Sequence, residues 1–299
     1  MFQEHIGELA ALGTALCWAA NALFFEDAGK RVGSFAVNFI RIYFGLIFLS
    51  IFTWITRGMI LPVDASAHAW FWLGLSGVVG VVIGDLMLFE AFVVVGARVS
   101  MLIMSLVPII TAIISWLVLG ETMTALEIFG MVITITGVSL VILERRDGGK
   151  NLKFRHPIAG VLFALGGATG QAIGLVLSKL GMGDYNAFAS TQIRLIIGSV
   201  GFLIVILITR KWSNVTKAFR NAKAMKSVTA GSFVGPFLGI SLSLVAVQFT
   251  RAGIASTIIA ISPVIIIPFS IAIFNEKVTP LEIFGAFISV AGVSIYFLT

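Results

Sequence analysis

Charge is what this sequence has least of. Asp, Glu, Lys and Arg make up 11% of its 299 residues, against about 25% in an ordinary soluble domain. A soluble fold of this length could not cover its surface with so few. A single cysteine, Cys17, excludes an internal disulfide framework. There are three histidines, His5, His68 and His156, no HExxH and no clustered ligand run, so no metal or other cofactor is expected. No GxxxxGK[ST] phosphate loop occurs, which excludes nucleotide hydrolysis by that route. Gly74-Leu75-Ser76-Gly77 reads GxSG, a motif of rhomboid-type serine proteases, but that chemistry needs a histidine base beside the serine. All three histidines fall in tails or connections, and Gly84-Asp85 lacks the first glycine of the GxGD aspartyl motif. The expectation is a protein that is not an enzyme.

What the sequence has in abundance is apolar length. Nearly uninterrupted runs lie at 6–25, 34–56, 69–94, 97–119, 124–143, 157–180, 185–209, 226–249, 252–274 and 279–298, numbered here as spans 1 to 10. Each is long enough for a helix to cross a bilayer, which takes about 20 residues. None alternates polar and apolar residues as a closed barrel would. The N-terminus carries Glu4 and Glu8 where a secretory signal would carry Lys or Arg, so span 1 is expected to stay in the mature protein. The fold class is therefore all-α integral membrane, with the lipid bilayer as an obligatory partner.

The cations orient it. Fifteen fall in the connections between spans 1–2, 3–4, 5–6, 7–8 and 9–10: Lys30, Arg31, Arg98, Arg145, Arg146, Lys150, Lys153, Arg155, Arg210, Lys211, Lys217, Arg220, Lys223, Lys226 and Lys277. The opposite connections hold Arg57, Lys179 and Arg251. The positive-inside rule puts the fifteen in the cytoplasm and both termini outside, in the inner (plasma) membrane. The net charge of +6 is accordingly a topology signal. The basic connections are short and nearly free of aromatics, so no nucleic-acid partner is expected.

An internal repeat sets the architecture. Gly120 to Leu143 aligns without gaps on Asn275 to Leu298 at an offset of 155, pairing Glu121 with Glu276, Thr124 with Thr279, LEIFG with LEIFG and GVS with GVS. The same offset pairs Gly80 with Gly235, Gly84 with Gly239 and Pro108 with Pro263; an offset of 153 pairs Gly13 with Gly166, Arg41 with Arg194 and Gly45 with Gly198. Residues 1–146 thus form a first five-helix repeat and 147–299 a second. Because five is odd, the second copy crosses the membrane in the opposite sense, a recurrent plan of secondary transporters with the substrate site between the copies near the midplane.

The duplicated pattern of a mid-helix Arg in the second helix of each half, a Pro in the fourth, and Glu with a GVS-type ending in the fifth resembles the EamA family of the drug/metabolite transporter superfamily. The resemblance covers essentially the whole chain. It implies a ten-helix exporter of amino acids or other small metabolites, with spans 5 and 10 peripheral and the other eight around a central cavity. One departure is that Gly120-Glu121 becomes Asn275-Glu276.

Ionisable residues inside the spans are few: Arg41, Asp85, Glu90 and Arg194. Each costs at least about 2.5–3.5 kcal/mol at the bilayer centre unless paired, hydrated or used. Arg41 is placed to pair with Asp85 or Glu90. Arg194 has no such partner by symmetry, because the repeat mates of Asp85 and Glu90 are Ile240 and Val245. We expect one of the two arginines to meet an anionic group of a substrate or a gate. Trp18, Asn21, Asn38, Gln171, Ser241 and Gln248, with Met101, complete the expected substrate-binding set. Pro108 and Pro263 are expected to kink spans 4 and 9, and with Glu90 to act in gating. The expected ligand is a small molecule: an amino acid, bulky apolar or aromatic by preference, or a related metabolite, exported by alternating access and by a monomer. The alternative is a cationic amphiphile recognised by Glu90 or Asp85, or a passive channel.

Overall fold

The computed structural model describes residues 5–144, 158–210, 212–274 and 278–298. Among them are ten helices long and apolar enough to cross a membrane. They are α1 (Ile6–Val32), α2 (Ser34–Arg57), α3 (Ala67–Val94), α4 (Gly96–Met104 and Val107–Leu119), α5 (Ala125–Glu144), α6 (Ile158–Met182), α7 (Ala187–Thr209), α8 (Ala222–Phe249), α9 (Ala252–Ile259 and Ser262–Phe274) and α10 (Pro280–Ser294). They correspond one to one with the ten spans, although α8 starts four residues earlier than the apolar run suggests. Asn221 caps it there, accepting from the Ala224 N–H at 3.0 Å. A short helix that hydropathy did not reveal, Trp212–Phe219, bridges α7 and α8. The proposed boundary at 146/147 lies outside the described residues, as do Arg145, Arg146, Lys150, Lys153, Arg155, His156, Lys211, Asn275, Glu276 and Lys277.

The helix ends explain much of what the repeat preserves. Thr124 and Glu127 form a reciprocal cap at the start of α5: the Thr124 N–H donates to Glu127 Oε2 at 2.7 Å and the Glu127 N–H to Thr124 Oγ1 at 3.3 Å. Thr279 and Glu282 repeat it on α10, at 2.8 and 3.2 Å. This is a capping box, in which a threonine and the glutamate three residues on satisfy each other's backbone N–H groups. Gly120, which the second copy replaces, ends α4 at φ 69°, a left-handed geometry that glycine adopts without strain and asparagine tolerates better than most residues.

Glycine contacts reveal the inversion directly. A Cβ added at Gly137 would lie 2.5 Å from the Gly285 carbonyl oxygen, and one at Gly130 would lie 3.1 Å from that of Gly292. Since 130 meets 292 and 137 meets 285, α5 and α10 run antiparallel, related by a two-fold that exchanges repeat mates. The same exchange places α1 against α8, where Cys17 and Asn21 meet Gly239 and Gly235. It also places α6 against α3, where Gly170 and Gly174 meet Gly84 and Gly80, with added Cβ atoms 2.9 and 2.8 Å from the facing Cα. Small residues at these crossings let backbones touch, the usual basis of close helix association in lipid.

Two interruptions follow the same symmetry. The segments Gly77–Gly84 of α3 and Phe233–Gly239 of α8 are wound as π-helix, a geometry frequent at functional sites. The fourth span of each copy is broken, at residues 105–106 in α4 and 260–261 in α9. Pro108 and Pro263 thus sit in the first turn of a new helical segment, where proline's missing N–H costs nothing, and not at kinks within continuous helices. The Ser262 hydroxyl donates to the Ile259 carbonyl at 2.7 Å, the group that Pro263 leaves without its helical donor. Pro236 and Pro268 lie inside helical segments, and the sequence reading did not single them out.

Candidate functional site

The π-wound segment of α3 ends on Asp85, and here the intramembrane charges converge. Arg41 of α2 is 8% exposed and its guanidinium forms an ion pair with Asp85, itself 7% exposed. Arg41 Nε also donates to Asn38 Oδ1 at 2.6 Å, and the guanidinium carbon stands 5.7 Å from the centroid of the Phe25 ring. Gln171 of α6 donates from Nε2 to the second Asp85 oxygen at 3.1 Å. Gln171 reaches that position because Gly84 and Gly170 let α3 and α6 approach backbone to backbone. Of the two acids that could have paired with Arg41, Asp85 does so, whereas Glu90 is exposed and has no ion pair among the described residues.

Arg194 of α7 enters the same cluster from the opposite copy. Gly77 makes room for its backbone, since an added Cβ there would lie 2.6 Å from the Arg194 carbonyl oxygen. Gly80 makes room for its guanidinium, 3.5 Å from an added Cβ. Arg194 is 7% exposed, lies within electrostatic reach of Asp85, and its Nε is buried without a hydrogen-bond partner among the described residues. Arg41 thus holds the carboxylate directly, whereas Arg194 feels it only through space, so the cluster carries two guanidinium groups and one carboxylate.

The inverted symmetry makes the rest of the cluster unequal. The repeat mates of Asp85 and Gln171 are Ile240 and Trp18; the Trp18 ring stands 3.8 Å from a Cβ added at Gly239, and the Gln171 backbone nitrogen 3.5 Å from one added at Gly84. Asp85 and Gln171 are thus matched in the other copy by apolar residues. Asn21 Oδ1, against Gly235, and Ser241 Oγ are buried and without a hydrogen-bond partner among the described residues. Such unspent polar groups are rare in folded structures and call for an explanation. Met101 is 37% exposed on α4. Gln248 is at the far end of α8, donating to the Gly183 and Tyr185 carbonyls at 3.0 and 3.2 Å, so it holds the connection between α6 and α7.

All three cations of the sparsely charged face are ion-paired between the two copies or beside a residue of the other copy. Arg57 pairs with Asp64 at 2.5 Å, and Tyr185 donates to the same carboxylate at 2.8 Å. Lys179 pairs with Glu121, which also accepts from the Ala252 N–H at 2.8 Å, and Arg251 pairs with Glu127. Asp64 loses some hydration in this setting, but hydrogen bonds from Tyr185 and the backbone together with the Arg57 charge hold its carboxyl below the usual carboxylate range. Burial pushes the Tyr185 phenol up. Ser76, the serine of the GxSG pattern, is committed to the Gly174 carbonyl at 2.6 Å and the Ser178 hydroxyl at 2.7 Å. His68 is directed instead to the Leu180 carbonyl, at 3.2 Å.

The model of the EamA-like transporter family matches residues 5–143 and 158–298, once for each copy. The chain belongs to the EamA-like transporter family. It is a multi-pass membrane protein of a transporter family, as its ten spans require. Two relatives from Bacillus subtilis (strain 168) carry the same general description. The uncharacterized transporter YvbV is 32% identical over 108 residues, 36% of this chain and 33% of the relative. The uncharacterized transporter YyaM is 28% identical over 151 residues, 49% and 46% of the two chains. The matched segments thus span less than half of each relative's length. A protein of known crystal structure superposes with a TM-score of 0.78 over 98% of this chain and 96% of its own, at 16% identity, a likeness of fold alone.

Proposed function

We propose that this EamA-family protein is a secondary carrier that exports amphipathic amino acids, with bulky apolar or aromatic ones preferred. The observation that carries the reading is Arg194, buried, unpartnered at Nε and standing beside an Arg41–Asp85 pair that is already complete. A substrate carboxylate on Arg194 neutralises the surplus charge and occupies the place for which the second copy supplies no acid. The apolar mates Trp18 and Ile240, opposite the polar Gln171 and Asp85, suit the side chain of such a substrate. Asn21 Oδ1 and Ser241 Oγ supply acceptors for its ammonium group. The symmetric breaks at Pro108 and Pro263 serve as the points about which the copies rearrange in alternating access. A cationic amphiphile is less well served, because Asp85 is taken by Arg41 and Gln171. A monomer holds both copies and so the whole site.

Proteoliposomes preloaded with phenylalanine or with a quaternary amine test the proposal. Saturable phenylalanine efflux, lost in Arg194→Ala at matched incorporation, is expected. Preferential efflux of the amine, or efflux that rises linearly with concentration in both proteins, overturns it in favour of a cation exporter or a channel respectively.

A further inference from the structure

A second region, remote from the central charges, has the features of a binding site. Between α1, α2 and the first half of α8 lies an apolar groove of about 780 Å³, lined by Phe24, Phe48, Met225 and Phe233 together with Phe219 and Lys226. Its length is informative. The lining on α8 extends from Ala222 to Val234, twelve residues at 1.5 Å each or about 18 Å, close to the about 15 Å of one leaflet's hydrocarbon. The groove is thus about as long as one leaflet of hydrocarbon is thick.

The charge at its surface end is one-sided. Arg210, Lys217, Arg220, Lys223 and Lys226 are all exposed, and none has an ion pair among the described residues. The neighbouring acids of α1 are already engaged: Glu26 with Lys30 at 2.6 Å, and Asp27 with Arg31 at 2.8 Å and, through its other oxygen, with the Ser227 hydroxyl of α8 at 2.6 Å. The bridging helix buries Val215 and Ala218 and leaves Trp212 and Phe219 half out, with Trp212 edge-on to Phe39 at 5.8 Å. A half-exposed tryptophan and a row of lysines at this height mark the headgroup level. Clusters of four to eight basic residues at that level attract anionic lipid.

We propose that the groove binds one acyl chain of an anionic phospholipid, whose phosphate is held by Lys226 and Lys223. The site is independent of the substrate reading, since it shares no residue with the central cluster. The test uses the full-length protein, delipidated in detergent. Phosphatidylglycerol, phosphatidylcholine with the same chains, and water-soluble glycerol phosphate are added in turn, followed by thermal unfolding and native mass spectrometry. Phosphatidylglycerol is expected to raise the unfolding temperature by several degrees and to leave one retained adduct. Phosphatidylcholine should do less and glycerol phosphate nothing. The K223A/K226A variant should lose the preference for phosphatidylglycerol, and Ala230→Trp, which fills the groove, should lose the adduct. Both lysines are exposed, so the first variant stays informative even if the second fails to fold. Equal response to the two lipids, stabilisation by glycerol phosphate alone, an unchanged preference in K223A/K226A, or displacement of the lipid by phenylalanine overturns the assignment.

Discussion

Arg41 and Arg194 stand at matching places of two copies and have opposite surroundings. Arg41 is satisfied by Asp85, Asn38 and Phe25, while Arg194 Nε lacks a partner. They should therefore fail differently. Arg41→Ala leaves a buried carboxylate without its counter-ion and is expected to destabilise the protein by about 3–5 kcal/mol, read as a lowered unfolding temperature in detergent. Arg194→Ala removes a buried charge that forms no ion pair among the described residues, so the unfolding temperature should hold or rise. Substrate affinity should fall about tenfold to hundredfold, the value of one charge-assisted hydrogen bond of about 1.5–3 kcal/mol. Equal loss of stability in the two variants would contradict this division. The inequality was legible in part: the sequence shows Ile240 where symmetry would require an acid for Arg194. The choice of Asp85 over Glu90 was not legible, because five residues along a helix change the facing direction and only packing decides which face meets α2.

At the scale of the element, the glycines that recur across the repeat are points where backbones touch. Gly137→Ala places a Cβ against the Gly285 carbonyl and the Ser289 N–H, each 2.5 Å away, and should cost about 1–3 kcal/mol through overpacking. Gly29→Ala, with nothing within 4 Å, serves as the control and should be neutral or stabilising in detergent melts. The connection between α2 and α3 makes a second prediction. Because the Asp64 carboxyl is held below its ordinary range, the clamp it forms with Arg57 and Tyr185 is fully present above about pH 4, the unperturbed value, and is lost as the pH falls through the lowered one. Hydrogen exchange of residues 58–66, corrected for intrinsic rate, should show protection at neutral pH that disappears only in acid. Asp64→Asn should lack it at every pH. Helix positions were readable because a bilayer demands long apolar runs. The π-wound segments and the broken fourth spans were not, since both replace one helical hydrogen-bond pattern with another without altering hydropathy.

The whole molecule is an inverted pair in which α1 packs on α8 and α6 on α3, so neither copy assembles its half of the site alone. The described ends meet on one face: the His5 and Phe297 rings lie 5.6 Å apart, as an even number of spans requires. Combined with the charge bias, this predicts that single cysteines introduced at His5 and at Leu298, in a Cys17→Ser background, both react with an impermeant maleimide from outside intact cells. Labelling of either only after permeabilisation would reverse the assigned orientation. Sequence by itself determined the bilayer habitat, the ten spans, the duplication and its inversion, because each follows from composition, length and parity. Tertiary structure alone decided which acid neutralises Arg41, that Arg194 Nε is left without a partner among the described residues, and that the cations of the sparsely charged face are tied into ion pairs. Those outcomes depend on which helix faces meet, and the glycine contacts between the copies set that in three dimensions.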